Sequence, residues 1–545
     1  MNLFIKAIVV FSFVLSSVVF IKAQNKEMPK LVVSVVIDQM RYDYLNKFSD
    51  LYGEGGFKRL MKGGANFTFT NLNYTPAYTA VGHATIYTGA TPYFHGIIAN
   101  DFYDRSAKKI IAPLYDASYN TLGALDKNGE KSPKKLIAST ITDELKLFSS
   151  GKSKVISIST KDRASILPGG HMADAAFWYN PGNGSFISST YYMKNLPGWV
   201  ILFNEKKIAL EYMNKDWELS YPAEKYVYTL PDNCKWEPDY FKEGDNTFPH
   251  TFNNLTEDEK RHLISNTPYG NEILFDFTAK ALAAEELGKD SITDFLAVSF
   301  SPTDYVGHVY GPNSFEIADT YAKMDNIIER MLNLLDEKVG EGNYLFVITA
   351  DHGGSYPFEY LKENNMISGG FLKKGTVDKI NNFIQKEFGD TNILASLSNS
   401  QLFLDNDLIV KKGFNPREAR LKIADYLKNN FSEITKAVTR DQLETLYPAR
   451  DGNDFLLNGF HPLRSGDIML EFIPGYYYAK PKTDVTSHET RYSSDSHIPL
   501  IFYGWNINAG TFNQPAYIVD IAATIADMLG INAPNCSMGI PLIKH

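Results

Sequence analysis

Four nearly continuous apolar runs, each ending on charged or imidazole side chains, set the tightest limit on how this chain can fold. The first is Lys30-Leu-Val-Val-Ser-Val-Val-Ile-Asp38. The others are Lys154-Val-Ile-Ser-Ile-Ser-Thr-Lys161-Asp-Arg163, Asp294-Phe-Leu-Ala-Val-Ser-Phe-Ser-Pro-Thr-Asp304 and Asn343-Tyr-Leu-Phe-Val-Ile-Thr-Ala-Asp351-His352. Apolar residues without alternation suit parallel strands buried on both faces. Between them, Pro312-Asn-Ser-Phe315 opens a helix running to about Glu337, with Ile317, Tyr321, Met324, Ile328, Met331 and Leu335 at helical spacing. Ser132 to Phe148 and Asn271 to Leu287 read the same way. Strands alternating with helices define an α/β fold, with a mostly parallel central sheet flanked by helices. Ligands of such sheets bind beyond the carboxyl ends of the strands, so the charged run ends are expected to share one site.

Two long stretches break this rhythm. Residues about 190–268 are rich in Trp, Tyr, Asn, Pro and charge, and residues about 358–482 hold helices and strands of their own, including Ile468-Met-Leu-Glu-Phe-Ile473. Both read as insertions that cap the active face. At the N-terminus, Lys6 and Lys22 bracket an uncharged apolar stretch, Ala7 to Ile21, followed by Ile21-Lys22-Ala23. It is short for a membrane span and reads as a signal peptide over 1–23, leaving 24–545 as one exported α/β domain, periplasmic or secreted. No later run is long and apolar enough to span a bilayer, so none is expected in the mature protein. A net charge of -9 gives no support to nucleic-acid binding. Cys234 and Cys536 are the only cysteines. They could pair in an exported protein, but they make no zinc–thiolate site, so any metal must be held by His and carboxylates.

Six residues fit that role: Asp38, Asp304, His308, Asp351, His352 and His488. Asp304-x-x-x-His308 puts a carboxylate and an imidazole one helical turn apart, and Asp351-His352-Gly353-Gly354 places adjacent ligands where glycines free the backbone to turn. Two sets of three N/O ligands suit two zinc ions with positions left open for substrate. Taken singly, an Asp at a strand end is commonly a helix N-cap, and an Asp-His pair is commonly a loop. Convergence on one sheet edge is what makes the signal. Spacing alone does not separate His488 from His497, and His83 and His95 read as structural or supporting residues.

The stretch Asn73-Tyr-Thr-Pro-Ala-Tyr-Thr79-Ala-Val-Gly-His83 combines a turn at Pro76 with a helix-compatible run that Gly89 can end. This puts the Thr79 hydroxyl at a helix N-terminus, among unpaired N–H groups that favour an alkoxide and an arriving anion. The ordinary role of such a Thr is an N-cap. Lys161 and Arg163, two residues apart, would point the same way in an extended segment. On spacing alone they read as a solvated basic pair, and Asn100 as a loop residue.

Together these motifs resemble the alkaline phosphatase superfamily, and most closely its PafA-type, phosphate-irrepressible bacterial alkaline phosphatases. The resemblance covers essentially the whole mature chain. It rests on Val36-Ile-Asp38-Gln-Met-Arg-Tyr-Asp, Thr79-Ala-Val-Gly-His, His95-Gly-Ile-Ile-Ala-Asn100-Asp, Lys161-Asp-Arg163-Ala-Ser-Ile-Leu-Pro, Ser301-Pro-Thr-Asp304-Tyr-Val-Gly-His308, Ala350-Asp351-His352-Gly and His488…Tyr492-Ser-Ser-Asp-Ser-His497-Ile-Pro-Leu. It implies one zinc on Asp304, His308 and His488 and a second on Asp38, Asp351 and His352, with Thr79 on the second metal. It also selects His488 over His497, and implies that Asn100, Lys161 and Arg163 bind phosphoryl oxygens. The implied activity is hydrolysis of small phosphate monoesters through a zinc-activated Thr79 and a covalent phospho-threonine.

Three rivals remain. A nucleotide pyrophosphatase/phosphodiesterase shares the Thr and the two zincs, but Lys161 and Arg163 suit the extra charged oxygen of a monoester. Arylsulfatases carry their nucleophile in Cys/Ser-x-Pro-x-Arg, which is absent from Thr79-Ala-Val-Gly-His83. A non-catalytic phosphate-binding protein would be expected to have lost the nucleophile or a ligand, and none is lost.

Overall fold

A computed structural model describes residues 28–366, 370–372, 374–452, 454–477 and 484–543. The apolar N-terminal segment read as a signal peptide, 1–23, lies outside the described residues. The four apolar runs are strands: β1 (Leu31–Ile37), β2 (Val155–Ser159), β4 (Asp294–Phe300) and β5 (Tyr344–Thr349), with every residue buried. With β3 (Ala175–Asn180) and β6 (Leu500–Gly504) they form the middle of a ten-stranded sheet in the order β6-β5-β1-β4-β2-β3. The five strands from β5 to β3 run parallel, in a register that pairs Val35 with Val298 and with Ile348. β6 is antiparallel to β5, and antiparallel partners also extend the far edge. Strands buried on both faces need helices on both sides, and these supply them.

Four helices matter for the site: α1 (Thr79–Thr88), α2 (Asp162–Gly169), α3 (Pro302–Tyr310) and α4 (Phe315–Lys338). α4 starts where expected, because the Ser314 side chain accepts the Ile317 N–H. The helix read over Asn271 to Leu287 forms at Tyr269–Ala284. The helix expected over 132–148 is shorter and covers only Ile141–Phe148. The Ser132-Pro133 signal belongs to a turn, and the true start is Thr140, which forms a capping box with Asp143. Cys234 and Cys536 are both free.

The two stretches 190–268 and 358–482 are built differently. In 190–268, Val200, Phe203, Trp217, Phe241 and Phe252 join the central hydrophobic core. The stretch 358–482 instead makes a four-stranded antiparallel sheet, Leu394–Ser398, Gln401–Leu404, Ile468–Phe472 and Ile434–Thr439 in spatial order. Its core is separate, with Ile384, Leu402, Ile423 and Leu427 at its centre. It grips the loop before Thr79: Thr75 N–H donates to Phe455 O at 3.0 Å, and Asn458 Nδ2 to Asn73 O at 2.6 Å. Gly459 is required there, since a Cβ would lie 2.8 Å from the Thr75 carbonyl carbon. Among the described residues, no helix is long and apolar enough to cross a membrane.

Candidate active site

The parallel strands end together, and their last residues converge. Asp38 follows β1, Lys161 follows β2, Asp304 lies in the first turn of α3 after β4, and Asp351 and His352 follow β5. All five are at most 3% exposed. His488 comes from a distant loop and is also buried. Lys161 Nζ bridges Asp38 Oδ2 at 2.8 Å and Asp304 Oδ2 at 2.5 Å, tying the ends of β1, β2 and β4.

The histidines share one orientation. His308 Nδ1 donates to Thr486 O at 3.0 Å, His352 Nδ1 to Gly353 O at 2.9 Å and His488 Nδ1 to Ala77 O at 2.5 Å. A carbonyl can only accept, so Nδ1 carries a proton and Nε2 is the atom turned toward a ligand. Each Nε2 faces carboxylates. His308 and His488 reach Asp304 Oδ1 at 3.2 and 3.6 Å, and His352 reaches Asp351 Oδ2 at 3.4 Å and Asp38 Oδ1 at 3.6 Å. Asp38 Oδ1 and Asp351 Oδ2 are buried with no hydrogen-bond partner. Buried orphan carboxylate oxygens aimed at imidazole lone pairs need a cation between them. The donor set fits one.

Among the described residues, two groups have ligand atoms within 4.8 Å of one another: Asp304, His352 and His488, and Asp38, Asp351 and His352. His352 is common to both. His308 stands beside Asp304 but outside the tighter group. Ionisation follows the same geometry. Burial, reinforced by Asp351, pushes the Asp38 carboxyl up to about 6 against the pull of Lys161. Burial opposes the charge on Asp304 as well, yet His308 and Lys161 hold it well below the ordinary range. The same Asp304 overrides the burial of His308 and raises it to about 9. Burial and the neighbouring His352 press His488 well below its usual value. The field that keeps a proton on His308 is equally suited to a metal ion.

Thr79 opens α1, and Tyr78 stands at the cap position with no side-chain capping bond. The Thr79 hydroxyl is therefore not spent as an N-cap. It is 1% exposed, and its Oγ1 lies 3.4 Å from His352 Nε2. Gly82 lets α1 lie against the Asp351 backbone, since a Cβ would stand 2.6 Å from Asp351 Cβ. Asn100 Oδ1 accepts the Ala80 N–H at 2.9 Å, beside the nucleophile position. Arg163 corrects one expectation. Lys161 is extended, but α2 begins at Asp162, so the two cations do not share an extended segment. Asp162 prefers the helix because its carboxylate sits in the first turn, paired with Lys131 at 2.6 Å. Arg163 Nε is buried without a partner, and burial opposes its charge, but Tyr305, Asp162, Asp38 and Asp304 hold the guanidinium protonated.

The supporting histidines separate cleanly. His83 Nδ1 donates to Thr79 O at 2.9 Å and lies 3.4 Å from Asp351 Oδ2. His95 pairs with Thr85 Oγ1 and the Ile97 N–H. His497 stacks on Tyr42 at 4.5 Å and donates to Thr68 O, away from the cluster.

Comparison with known proteins identifies the family. Residues 32–497 match the family model of type I phosphodiesterase / nucleotide pyrophosphatase. The chain is 38% identical over 517 residues to alkaline phosphatase PafA of Elizabethkingia meningoseptica, covering 95% of this chain and 94% of that protein. It is 39% identical over 516 residues to alkaline phosphatase PhoV of Synechococcus elongatus, covering 95% and 92%. A crystal structure of wild-type PafA superposes with a TM-score of 0.90 at 37% identity, covering 94% of this chain and 98% of that one. The chain is a PafA-type member of the alkaline phosphatase superfamily.

Within this PafA-type site, two residues inside the motifs quoted above have roles that the motifs alone do not reveal. Gln39 has a positive φ of 63°, which is uncommon for a non-glycine. Its Nε2 donates to Asp304 Oδ1 at 2.7 Å and its backbone N–H to Asp351 Oδ1 at 3.2 Å, so it links the two ligand groups. Tyr305 lies under the Lys161 ammonium, 4.7 Å from ring centre to Nζ. Neither role depends on a spacing that could be read from the chain.

Proposed function

We propose that this chain hydrolyses small phosphate monoesters through a covalent phospho-threonine at Thr79. The observation that carries the reading is an uncapped, buried hydroxyl at a helix N-terminus, 3.4 Å from the imidazole shared by both ligand groups. Two zinc ions, one on Asp304, His308 and His488 and one on Asp38, Asp351 and His352, would supply the charge that lowers the Thr79 hydroxyl pKa and neutralises the leaving oxygen.

The remaining work falls to the chain. Thr79 Oγ1 attacks phosphorus in line, the P–O bond to the alcohol breaks, and water later splits the phospho-threonine. The N-terminus of α1 turns its positive dipole end toward the transferred group. Asn100, Lys161 and Arg163 hold its non-bridging oxygens. Phosphoryl transfer needs little covalent help beyond the nucleophile, so positioning and charge supply most of the rate. Thr79→Ser keeps the hydroxyl and substantial activity, whereas Thr79→Ala removes the labelled phospho-enzyme. Label trapped on another residue would overturn the assignment. The apolar Ala7–Ile21 stretch supports export, and the exported protein should begin near Gln24 when sequenced from its N-terminus.

The family model names phosphodiesterases, so a diesterase is the competing reading. A monoester keeps three non-bridging oxygens on the transferred group, and a diester covers one with a second substituent. Charged hydrogen bonds from Lys161 and Arg163 should contribute roughly 1.5–3 kcal/mol each, or about a hundred- to ten-thousandfold in kcat/KM together. The double change to Ala should lose that much on a monoester and far less on a diester with the same leaving group. Equal losses would remove the case for a monoesterase.

A further inference from the structure

We infer that Asp495 is a positioning residue that locks the His488 loop onto the Asp351–His352 loop and so sets the spacing of the two metal half-sites. The inference rests on the bimetallic reading given above. Asp495 is fully buried in the short Ser493–Ser496 turn of helix and touches no proposed ligand. Its two oxygens are saturated with donors from both loops. Oδ1 accepts Ser355 Oγ at 2.5 Å and Ser494 Oγ at 2.8 Å, while Oδ2 accepts the Thr490 N–H at 3.0 Å and Thr490 Oγ1 at 2.7 Å. Its main-chain carbonyl takes the Gly353 N–H at 2.8 Å. Ser355 lies three residues after His352 and Thr490 two after His488, so one carboxylate ties both ligand loops together.

Two further contacts run alongside it: Ser355 N–H to Ser487 O at 3.1 Å and Thr486 Oγ1 to Ser355 O at 2.7 Å.

Backbone strain shows what the clamp works against. Glu489, between His488 and Thr490, has a φ of 131°, a region that non-glycine residues rarely adopt. Such a conformation persists only where the surroundings over-determine it. Here the surroundings are Asp495 on Thr490 and Thr75 Oγ1 on the Glu489 carbonyl at 3.0 Å. Released, the loop would relax and carry His488 away from His352, on which it now stacks with ring centres 3.6 Å apart. An amide replaces the carboxylate only by turning its NH2 toward the Ser355 and Ser494 hydroxyls and forcing both from donor to acceptor, which exchanges two charge-assisted bonds on the Ser355 side for weaker neutral ones.

The test is stepwise zinc titration of the metal-stripped protein, with circular dichroism to confirm folding. Wild type should bind two ions. Asp495→Asn should bind the ion at the His488 half-site roughly 10- to 100-fold more weakly, the usual cost of losing a group that orients a ligand. Its kcat should recover at saturating zinc with KM little changed. Thr490→Val keeps the N–H and the volume but loses one donor. It should weaken the same step roughly 2- to 10-fold, and it carries the test if the Asn variant does not fold. A folded variant with wild-type affinity at both steps and a lowered melting temperature would make Asp495 merely structural and overturn the inference. Wild type that takes up no zinc would overturn the bimetallic reading beneath it, and this inference with it.

Discussion

At the strand ends, His308, His352 and His488 each give Nδ1–H to a backbone carbonyl and turn Nε2 toward carboxylates. A second buried cluster of the same residue types joins the first insertion to α4, and there His250 spends both nitrogens on acids. Nδ1 reaches Glu243 Oε2 at 2.9 Å and Nε2 reaches Glu316 Oε1 at 3.2 Å. Burial opposes its charge, but the two carboxylates raise it to about 9, so it is an imidazolium held between anions. Nearby Glu237 is pushed up to about 10 by burial and by Glu316, and so stays neutral. Phe248 and Trp217 close over the ring at 4.6 and 5.3 Å. Acids and imidazoles alone therefore do not make a metal site. The partners of the ring nitrogens make the difference: His352 and His488, each fixed by a carbonyl, keep an Nε2 lone pair to give, His308 must first release the proton that Asp304 holds on it, and His250, fixed by two acids, keeps none.

The largest effect that could break this contrast is chelation. Stripping metal should abolish phosphatase activity, zinc should restore it, and the His250 cluster should be indifferent, with its contribution to denaturant stability unchanged. Activity in protein shown to be metal-free would end the bimetallic account. Next in size, His488→Ala should cost about a hundred- to a thousandfold in kcat/KM. His497→Ala, which loses only a stack on Tyr42 and one bond to Thr68 O, should stay within about threefold. Equal losses would mean that orientation toward the cluster does not distinguish ligands.

His250→Ala should leave Glu316 without its cation and Glu243 with only the Thr251 N–H, and cost about 3–5 kcal/mol of stability in urea unfolding, with the rate per folded molecule unchanged. A loss of activity at full stability would contradict its structural role. The smallest effect is a pH dependence. Because the folded pKa of His250, about 9, is raised above the unfolded value, the stabilisation is full below about 6.5 and is lost as pH rises through about 9. Urea unfolding should show a fall of roughly 1–3 kcal/mol between pH 6.5 and 9.5 that the His250→Ala variant lacks. An identical pH profile in the variant would place the titration elsewhere.

The sheet and its edge were legible because a strand buried on both faces must be written as an unbroken apolar run, and β1, β2, β4 and β5 are. The acids that end those runs were legible for the same reason. His488 was harder, since it reaches the cluster from a loop with no periodic pattern. Local spacing left it level with His497, and only the family motif ranked them. The role of Gln39 was invisible, because its importance lies in a bond across 265 residues to Asp304. The helix read from Ser132 begins instead after Thr140, where both halves of a capping box are present. The His250 cluster left no trace at all, as Glu237, Glu243, His250 and Glu316 meet only when the first insertion folds onto α4.

One measurement bears most directly on the contrast between the two clusters: anomalous X-ray scattering at the zinc edge from crystals of zinc-loaded protein. The account predicts two peaks among Asp38, Asp304, His308, Asp351, His352 and His488, and none beside His250, Glu243, Glu316 and Glu237. A peak in the second cluster, or a first cluster empty in active crystals, would contradict it.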